Sequence, residues 1–342
     1  MGLTIIATIF VFSLIVFVHE LGHFITAKLS GMQVDEFAIG FGPKLCSYTY
    51  GDTTYSLRII PLGGFNKIAG MTDDEPLNEK SFLNKPVWKR LIVIAAGACM
   101  NFLLAIVLFW GIIFVSGTMK VSPEPVVGSI VENSPAARVS LQAGDKIVSI
   151  GGTAITTWND IPKAVSAHAK EVLPITVERN GQAQTVELIP EQDEQAKRAV
   201  IGVVPVIERQ SHGFFEAGSM AIERTGQVCG LMINGLYEMV TGKQKAEVAG
   251  PLGVAQLAGQ MAEVGFVNLL MFTAFLSINL GIINLLPVPL LDGGYIILLL
   301  IEGITRRRMP KKALGYIQTC GMVILGAIFL LAMFQDISRL GG

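Results

Sequence analysis

Charge is scarce in this chain of 342 residues: Asp, Glu, Lys and Arg make up 15%, against about 25% in an ordinary soluble domain. Hydrophobic residues make up 51% of the chain, so a large part of it is expected to lie in lipid. The formal net charge is −1, and no basic surplus points to nucleic acid as a partner. The sequence therefore predicts a membrane protein that does not bind nucleic acid.

Cysteine is also rare, and its spacing excludes two kinds of site. The four cysteines, Cys46, Cys99, Cys229 and Cys320, lie far apart and form no C-x-x-C pair. A disulfide framework and a cysteine-ligated zinc site are therefore not expected. We interpret these cysteines as small apolar side chains in the interior.

Long apolar runs are present, and each of three is long enough to span a bilayer, which takes about 20 residues. These are residues 3–27, 91–115 and 313–334. A fourth run, 266–304, is interrupted by prolines and by a glycine pair. Unwound backbone at membrane depth is tolerated only where protein buries it or where it lines a cavity, so the interruption is a candidate functional feature. The run 3–27 has no basic start, and we interpret it as a retained span rather than a signal peptide.

The distribution of positive charge predicts the orientation in the membrane. Residues 28–90 carry eight Lys or Arg, and residues 306–312 carry five. Cytoplasmic loops are enriched in these residues. With four spans both segments lie on the cytoplasmic side, which places both termini and residues 117–266 outside the cytoplasm.

The chain is predicted to have four parts. Residues 1–117 form the first half of a membrane core, and residues 118–207 form a domain of short strands and turns outside the cytoplasm. A linker, 208–265, contains a moderately apolar stretch, residues 214–241, with four charged residues that would be costly at mid-membrane. We interpret this stretch as an amphipathic helix at the outer membrane interface. Residues 266–342 form the second half of the core.

Within the first half, residues 33–70 are rich in glycine and in β-forming residues. They are expected to form a β-hairpin or small sheet held at the cytoplasmic face of the membrane. The predicted fold class is a membrane α-helical protein with four transmembrane helices, this β element, and an inserted α+β domain.

The stretch "FVHELGHFIT", residues 17–26, places polar groups at the end of an apolar run. On a helix, His19 and His23 are one turn apart and project from one face. H-E-x-x-H on a helix is typical of zinc sites in which both imidazoles bind the metal and the glutamate, here Glu20, acts as general base. His19 lies roughly 25 Å along the run, a depth at which an uncompensated glutamate is expensive.

Two histidines leave a catalytic zinc one protein ligand short. Asp292, in "NLLPVPLLDGG", is the only acidic residue in the apolar part of the broken run, and we interpret it as the third ligand. It could also cap the second half of the broken helix. Asn284 lies beside the break and could position the substrate or the oxyanion, or make an interhelical hydrogen bond.

These motifs resemble the site-2 proteases, in particular the bacterial RseP-type intramembrane zinc metalloproteases with a single PDZ domain. "HELGH" in a first span, "LDGG" in a later one and a soluble insert between them carry the resemblance. "GFGPKL", "RIIPLGGF", "NLGIINLLPVPLLDGG" and "FQDISRL" are similar to family text and extend it over most of the chain.

The resemblance implies specific roles for residues of this chain. His19, His23 and Asp292 would bind one zinc ion, and Glu20 would be the catalytic base and acid. The β element would present an edge strand to an unwound substrate. Gly63 and Gly64 match its "PLGG" turn, and Gly97 and Asn101 look like the small-residue motif that packs the second span against the catalytic helix. The predicted substrate-binding residues are Gly63, Gly64, Asn284 and Pro287.

The family also implies partners and a location. The substrates would be single-pass membrane proteins in the lipid bilayer, of the anti-sigma factor type in a stress response, or remnant signal peptides. The stretch "VVGSIVENSPAARVSLQAGDKIVSIGGTAI" resembles a PDZ module, which would bind a peptide tail and exclude substrates with bulky outer domains. The protein is expected in the bacterial inner membrane, with its N-terminus, PDZ module and C-terminus outside the cytoplasm.

Two other functions fit parts of the sequence. A non-catalytic membrane scaffold would use the PDZ module alone and would not need Glu20. A metal transporter would use His19, His23 and Asp292 as a translocation site, but would favour polar residues spread along a path. The single tight cluster with a peptide-binding module favours the protease.

Overall fold

The computed structural model describes residues 1–340 except 72–76, 167, 169–170, 194–197 and 244–249. The elements up to the second long helix are, in chain order, α1 Gly2–Leu29, β1 Val34–Tyr50, β2 Thr53–Ile68, a 3₁₀ turn Phe82–Asn84 and α2 Val87–Ser116. The following elements are β3 Thr118–Val121, β4 Val127–Ile130, α3 Pro135–Arg138, β5 Lys146–Ile150, β6 Thr153–Ala154, α4 Asp160–Ser166, β7 Leu173–Arg179, β8 Gln182–Leu188, β9 Glu191–Asp193, β10 Arg198–Val200, β11 Val203–Pro205 and β12 Ile207–Gln210. The last five helices are α5 Phe214–Val240, α6 Pro251–Val264, α7 Phe266–Leu285, α8 Asp292–Thr305 and α9 Lys311–Leu340.

The chain divides into two compact units, Met1–Val115 with Gly213–Gly342, and Ser116–His212. We call the first the helical unit and the second the α+β module. In the described part of the chain, four helices are long and apolar enough to cross a membrane: Gly2–Leu29, Val87–Ser116, Phe266–Leu285 and Lys312–Ser338. The predicted fold class is confirmed.

The buried face of α1 leads directly to the histidines. Its buried positions include Val11, Ile15, His19 and His23, which recur every four residues and so share one side of the helix. Close packing against α2 continues to this point, because a Cβ on Gly22 would lie 2.5 Å from the carbonyl oxygen of Ala96. The face of α1 that is buried in the protein therefore carries both imidazoles as well as the apolar side chains.

The β element is a small sheet in which β1 and β2 each pair along two stretches. Ala38 pairs with Phe65 on one side and with Ser56 on the other, and Cys46 pairs with Leu57. In the described pairings, residues 64–68 therefore form an edge segment of this sheet, and we call them the edge strand.

A half-buried ion pair joins the segments of this sheet. The Glu36 carboxylate accepts hydrogen bonds from Ser56 Oγ at 2.6 Å and Arg58 Nη2 at 2.8 Å. Partial burial raises the pKa of Glu36, but these bonds and Lys44 outweigh it and lower that pKa to about 2. Glu36 is thus ionised at neutral pH, and its contacts stabilise the sheet.

The fourth apolar run is broken as the prolines suggest. Helix α7 ends at Leu285 and α8 begins at Asp292, since prolines interrupt the backbone hydrogen-bond ladder. Glycines allow the break to pack closely: a Cβ on Gly294 would clash with the carbonyl of Val288, and one on Gly321 of α9 would lie 2.6 Å from Pro289.

The α+β module is built on a four-stranded sheet in the order β6-β5-β7-β8. Ile147, Ile150, Leu173, Ile175 and Val177 are fully buried between this sheet and the rest of the module. Along β7 the buried residues alternate with more exposed ones, which gives the strand one buried face. On β5 an irregularity in the pairing between Ile147 and Ser149 lets Ile147 and Ile150, three residues apart, both be buried.

The segment 208–265 contains two long helices, where the sequence predicted one. Helix α5 packs Ala221 and Val228 against α2 and α7. Helix α6, which the prediction missed, packs Gly259 against Thr4 of α1. Its N-terminus receives the buried Asp336 carboxylate of α9, which accepts hydrogen bonds from the backbone N–H groups of Gly250 and Gly253.

The expectation of interior cysteines was wrong. Cys46, Cys99 and Cys320 are exposed on the protein surface and Cys229 is half-buried. Cys99 and Cys320 lie on helices that can span the membrane, where an apolar thiol can face lipid at little cost.

Candidate metal centre

The three predicted ligands meet in the helical unit. His19 and His23 come from α1, and Asp292 is the first residue of α8. Nε2 of His19 lies 3.2 Å from Nε2 of His23. Asp292 Oδ2 lies 3.4 Å from Nε2 of His19 and 3.6 Å from Nε2 of His23. The three side chains thus present one ligand atom each to a common point.

These separations fit a tetrahedral zinc ion. With ligands at about 2.0–2.1 Å from the metal, tetrahedral geometry places the ligand atoms about 3.3 Å apart. Asp292 Oδ2 is buried and has no hydrogen-bond partner in the described structure. An unpaired buried carboxylate oxygen is costly, and a cation between it and the imidazoles would satisfy it. The N-cap residue of α8 is Leu291, and no side-chain capping hydrogen bond is described there.

Each imidazole is also held through its second nitrogen. Nδ1 of His23 lies 2.8 Å from the carbonyl oxygen of Val93, which accepts the Nδ1–H proton and leaves the Nε2 lone pair for a metal. Nδ1 of His19 lies 3.3 Å from the Asn101 side-chain amide. The Asn101 Oδ1 atom is buried without a partner, and turning the amide by 180° lets Oδ1 accept the Nδ1–H proton of His19.

Gly97 of α2 makes room for both rings. A Cβ built on Gly97 would clash with Nε2 of His23 and would lie 2.6 Å from Cε1 of His19. Gly97 and Asn101 were predicted as packing residues, and the structure brings both into contact with the predicted histidine ligands.

Glu20 lies on the flank of the cluster and is held by the edge strand. Asn66 Nδ2 donates to Glu20 Oε2 at 2.7 Å and to the Glu20 carbonyl oxygen at 2.6 Å. Glu20, both histidines, Asp292 and Asn284 line one cavity of about 300 Å³. A carboxylate on the wall of a cavity that contains the metal ligands is placed for proton transfer.

Of the four predicted substrate-binding residues, two lie close to His19 or Glu20 and two do not. Asn284, at the end of α7, has its Nδ2 atom 3.5 Å from Nε2 of His19 and so lies at the site. Gly64 lies beside Glu20, since a Cβ there would be 3.4 Å from Glu20 Cγ, whereas Gly63 packs against the ring of Phe41. Pro287 lies in the break between α7 and α8 and is not among the described residues that line the cavity.

Comparison with known proteins identifies the family. The model of "Peptidase family M50" matches residues 7–328. A zinc metalloprotease of Clostridium acetobutylicum is 35% identical over 337 residues, covering 97% of each chain. The chain belongs to peptidase family M50. The predicted resemblance to site-2 proteases is confirmed, and this M50 peptidase is a metalloprotease whose cofactor is zinc.

Two further relatives extend the comparison. The regulator of sigma-W protease RasP of Bacillus subtilis is 30% identical to this M50 peptidase over 418 residues, covering 98% of this chain and 99% of its own. A zinc metalloprotease of Agrobacterium fabrum is 33% identical over 365 residues. With its four apolar helices, this M50 peptidase is an inner-membrane protein.

A solved structure resembles part of the chain. The PDZ domain of the SdrC-like protein from Listeria monocytogenes aligns with 25% of this chain and 93% of its own, at 21% identity and a TM-score of 0.22. A similarity at this level does not assign a fold.

The sequence did not reveal three contacts at the site. They are the contact of Asn66 with Glu20, the hydrogen bond between Asn101 and His19, and the hydrogen bond between His23 and the carbonyl of Val93. Asn66 lies 46 residues from Glu20 and Val93 lies 70 residues from His23. No local pattern marks such contacts, because they depend on how the β element and α2 pack on α1.

Proposed function

We propose that this M50 peptidase is an intramembrane endopeptidase that hydrolyses peptide bonds within the transmembrane segments of single-pass membrane proteins. The observation that carries this proposal is the cluster of His19, His23 and Asp292 beside Glu20. The two histidines and Glu20 lie on a helix that is long and apolar enough to cross the membrane. Burying polar groups at that depth costs free energy, so such residues in a membrane span usually have a function.

His19, His23 and Asp292 would hold the zinc ion. The chemistry that zinc supplies when bound is acidification of a water ligand, towards a pKa of ~7, and polarisation of the scissile carbonyl. Val93 and Asn101 would orient the imidazoles so that both Nε2 lone pairs face the metal.

Glu20 would move the proton. Its carboxylate takes a proton from the attacking water as the water oxygen bonds to the scissile carbonyl carbon. It then delivers that proton to the leaving nitrogen as the C–N bond breaks. Asn284 would donate a hydrogen bond to the carbonyl oxygen, on which negative charge develops.

The edge strand would hold the substrate in an extended form. A transmembrane helix hides its amide bonds, and unwinding it frees backbone groups that must be paired in lipid. Pairing with the edge strand, which begins at Gly64, would satisfy them. Gly63 and Pro287 would shape the turns on either side of this path. Substrate spans that contain helix breakers should therefore be preferred.

The α+β module would bind a peptide in the manner of a PDZ domain. A cavity of about 470 Å³ lies between α4 and residues 198–203, lined by Trp158, Ile161, Val165 and Ile201 among others. An apolar groove beside a strand fits an extended peptide that adds a strand. In this role the module would favour substrates whose outer domain has already been removed.

The orientation and the substrates belong to the same proposal. The positive segments 28–90 and 306–312 would be cytoplasmic, with both termini and the α+β module outside. One relative is named a regulator of sigma-W protease, which supports anti-sigma factors as a substrate class. Remnant signal peptides are a second class of single-pass substrate.

Reconstitution with a defined substrate tests the proposal. The intact chain in detergent is incubated with a single-pass protein whose span contains a Gly or Pro, and the cut bond is located by mass spectrometry. A matched substrate has an uninterrupted poly-Leu span. We expect a zinc-dependent cut inside the substrate span that contains Gly or Pro, and slower cleavage of the poly-Leu substrate. Cleavage confined to regions outside the span would contradict the proposal.

A further inference from the structure

The Asn66 side chain links the edge strand to Glu20 in an unusual way. Its Nδ2 atom donates both to the Glu20 carboxylate, at 2.7 Å, and to the Glu20 carbonyl oxygen, at 2.6 Å. Its Oδ1 atom is buried and has no hydrogen-bond partner in the described structure. Turning the amide to pair Oδ1 differently would set that oxygen against two acceptors of Glu20, so the observed orientation is the favourable one.

The unpaired oxygen has a cost to stability. A buried acceptor left without a donor destabilises a fold, and such groups are rare. Asn66 therefore keeps its amide beside Glu20 although its own oxygen is unsatisfied. Local violations of this kind concentrate at functional sites.

The backbone of the edge strand approaches Glu20 closely enough to make this contact direct. A Cβ on Gly64 would lie 2.7 Å from the carbonyl oxygen of Ala38 and 3.4 Å from Glu20 Cγ. Asn66 and Glu20 line the same cavity as the metal ligands. Only one oxygen of the carboxylate, Oε2, is bound by Asn66, which leaves Oε1 for the reacting water.

We infer that Asn66 is a positioning residue that fixes the Glu20 carboxylate against the edge strand, so that the strand that would pair with the substrate also aims the general base. The inference rests on the proposed function. It adds that the carboxylate is oriented by the β element and not by the catalytic helix alone. Asn66 contacts neither the metal ligands nor the scissile bond in this role.

Two substitutions of nearly equal size separate positioning from simple packing. Asn66→Leu removes the donor and the unsatisfied oxygen, and Asn66→Asp keeps the shape but replaces the donor by an acceptor. Gln184→Leu is the matched control for replacing an amide by Leu, because Gln184 is exposed on β8 of the α+β module and is not part of the edge strand. For each full-length protein in detergent, kcat, KM, zinc content and Tm are measured.

For both Asn66 variants we expect kcat to fall about 10- to 100-fold, as for the loss of one hydrogen bond to a charged group, with KM within about twofold. Zinc content should be unchanged, and Tm of Asn66→Leu should change little, because the substitution removes the unsatisfied Oδ1 atom together with two hydrogen bonds to Glu20. Gln184→Leu should behave as the intact chain.

Two results would overturn the inference. Retention of kcat in Asn66→Leu would show that Glu20 needs no such partner, while leaving the protease itself established. A fall of kcat that accompanies lost zinc or a lowered Tm would show that Asn66 only ties the β element to α1. If the intact chain cleaves nothing, it is the proposed function that fails.

Discussion

At the residue scale, the site depends on the groups that hold each predicted ligand in position. His23 is held by the carbonyl of Val93 and His19 by Asn101, while Asp292 has an oxygen that nothing else in the described structure binds. A ligand whose other nitrogen is fixed loses little freedom when the metal binds. The metal affinity of the centre is therefore expected to depend on α2 as well as on α1 and α8.

The first prediction concerns Asp292. Asp292→Ala removes the only carboxylate ligand, so zinc should be retained far more weakly, by at least about 100-fold in Kd, while the helical content stays the same. Zinc content after dialysis and far-UV circular dichroism measure the two quantities. Glu208→Gln, at an exposed position of β12, is the control. Full zinc occupancy in Asp292→Ala would remove Asp292 from the ligand set.

The sequence allowed some of these residues to be predicted and not others. His19, Glu20 and His23 share one helix, so their geometry follows from helical periodicity, and Asp292 stands out because an acidic residue in an apolar run needs a partner. Asn66 belongs to a run of polar and apolar residues that has no such signal. Its role exists only after the β element folds against α1.

At the scale of the elements, the packing of α2 on α1 determines whether the centre can form. Gly97 faces both imidazoles, and Gly22 faces the backbone of α2 at Ala96. These two close approaches hold the helices near enough for α2 to supply the partners of both histidines. Helix packing at small residues is a common device in membranes.

The second prediction tests the close packing of α2 against α1 with two alanine substitutions in α2. Gly97→Ala adds a methyl group that clashes with His23 and His19, so zinc binding and cleavage should fall together by at least about tenfold. Gly111→Ala, also on α2, has open space around its Cβ and should change neither. Measured zinc content and turnover decide the matter. Equal behaviour of the two variants would mean that α2 does not confine the ligands.

The third prediction concerns pH and the α+β module. Arg179 donates hydrogen bonds to the buried Asp145 at 2.6 and 2.7 Å and lowers the pKa of that carboxyl below its usual range. A lowered pKa stabilises the fold above the unfolded-state pKa of about 3.9, and this stabilisation is lost as pH falls through the folded-state pKa. Asp145→Asn should thus destabilise the module by about 2 kcal/mol at pH 7, and the difference should shrink below about pH 4.

Trp158 reports on this module if Trp88 and Trp110 are replaced by Phe. Urea unfolding of the full chain in detergent, followed by Trp158 fluorescence at several pH values, gives the difference. Glu187→Gln, on an exposed position of β8, is the control. If the destabilisation caused by Asp145→Asn grew as the pH fell, the stabilising role of the Arg179–Asp145 pair would be contradicted.

The elements also show where sequence patterns stop being informative. The long apolar helices could be predicted because length and hydropathy mark them. Helix α6 was missed, because its stability comes from Gly259 packed on Thr4 and from the Asp336 carboxylate at its N-terminus, and both contacts join segments distant in the chain. The double pairing of β1 and β2 was not predictable for the same reason.

At the scale of the whole molecule, the fourth prediction concerns orientation. Cys46 is exposed on the β element, which should face the cytoplasm. In a variant whose other cysteines are replaced by alanine, a membrane-impermeant maleimide added to spheroplasts should leave Cys46 unlabelled until the membrane is permeabilised. A Gln184→Cys substitution on the α+β module, in a background that lacks Cys46, should be labelled at once. The reverse pattern would invert the topology.

The proposed reaction requires a metal-activated water and a general base that act on a peptide bond within the membrane. The most direct test compares the intact chain with Glu20→Gln, measuring bound zinc and the cleavage of a single-pass substrate in detergent. We expect Glu20→Gln to keep its zinc and to lose turnover by at least about 100-fold, because the proton acceptor is gone while the three predicted ligands remain. Unchanged turnover in that variant would contradict the assignment of Glu20 as the base.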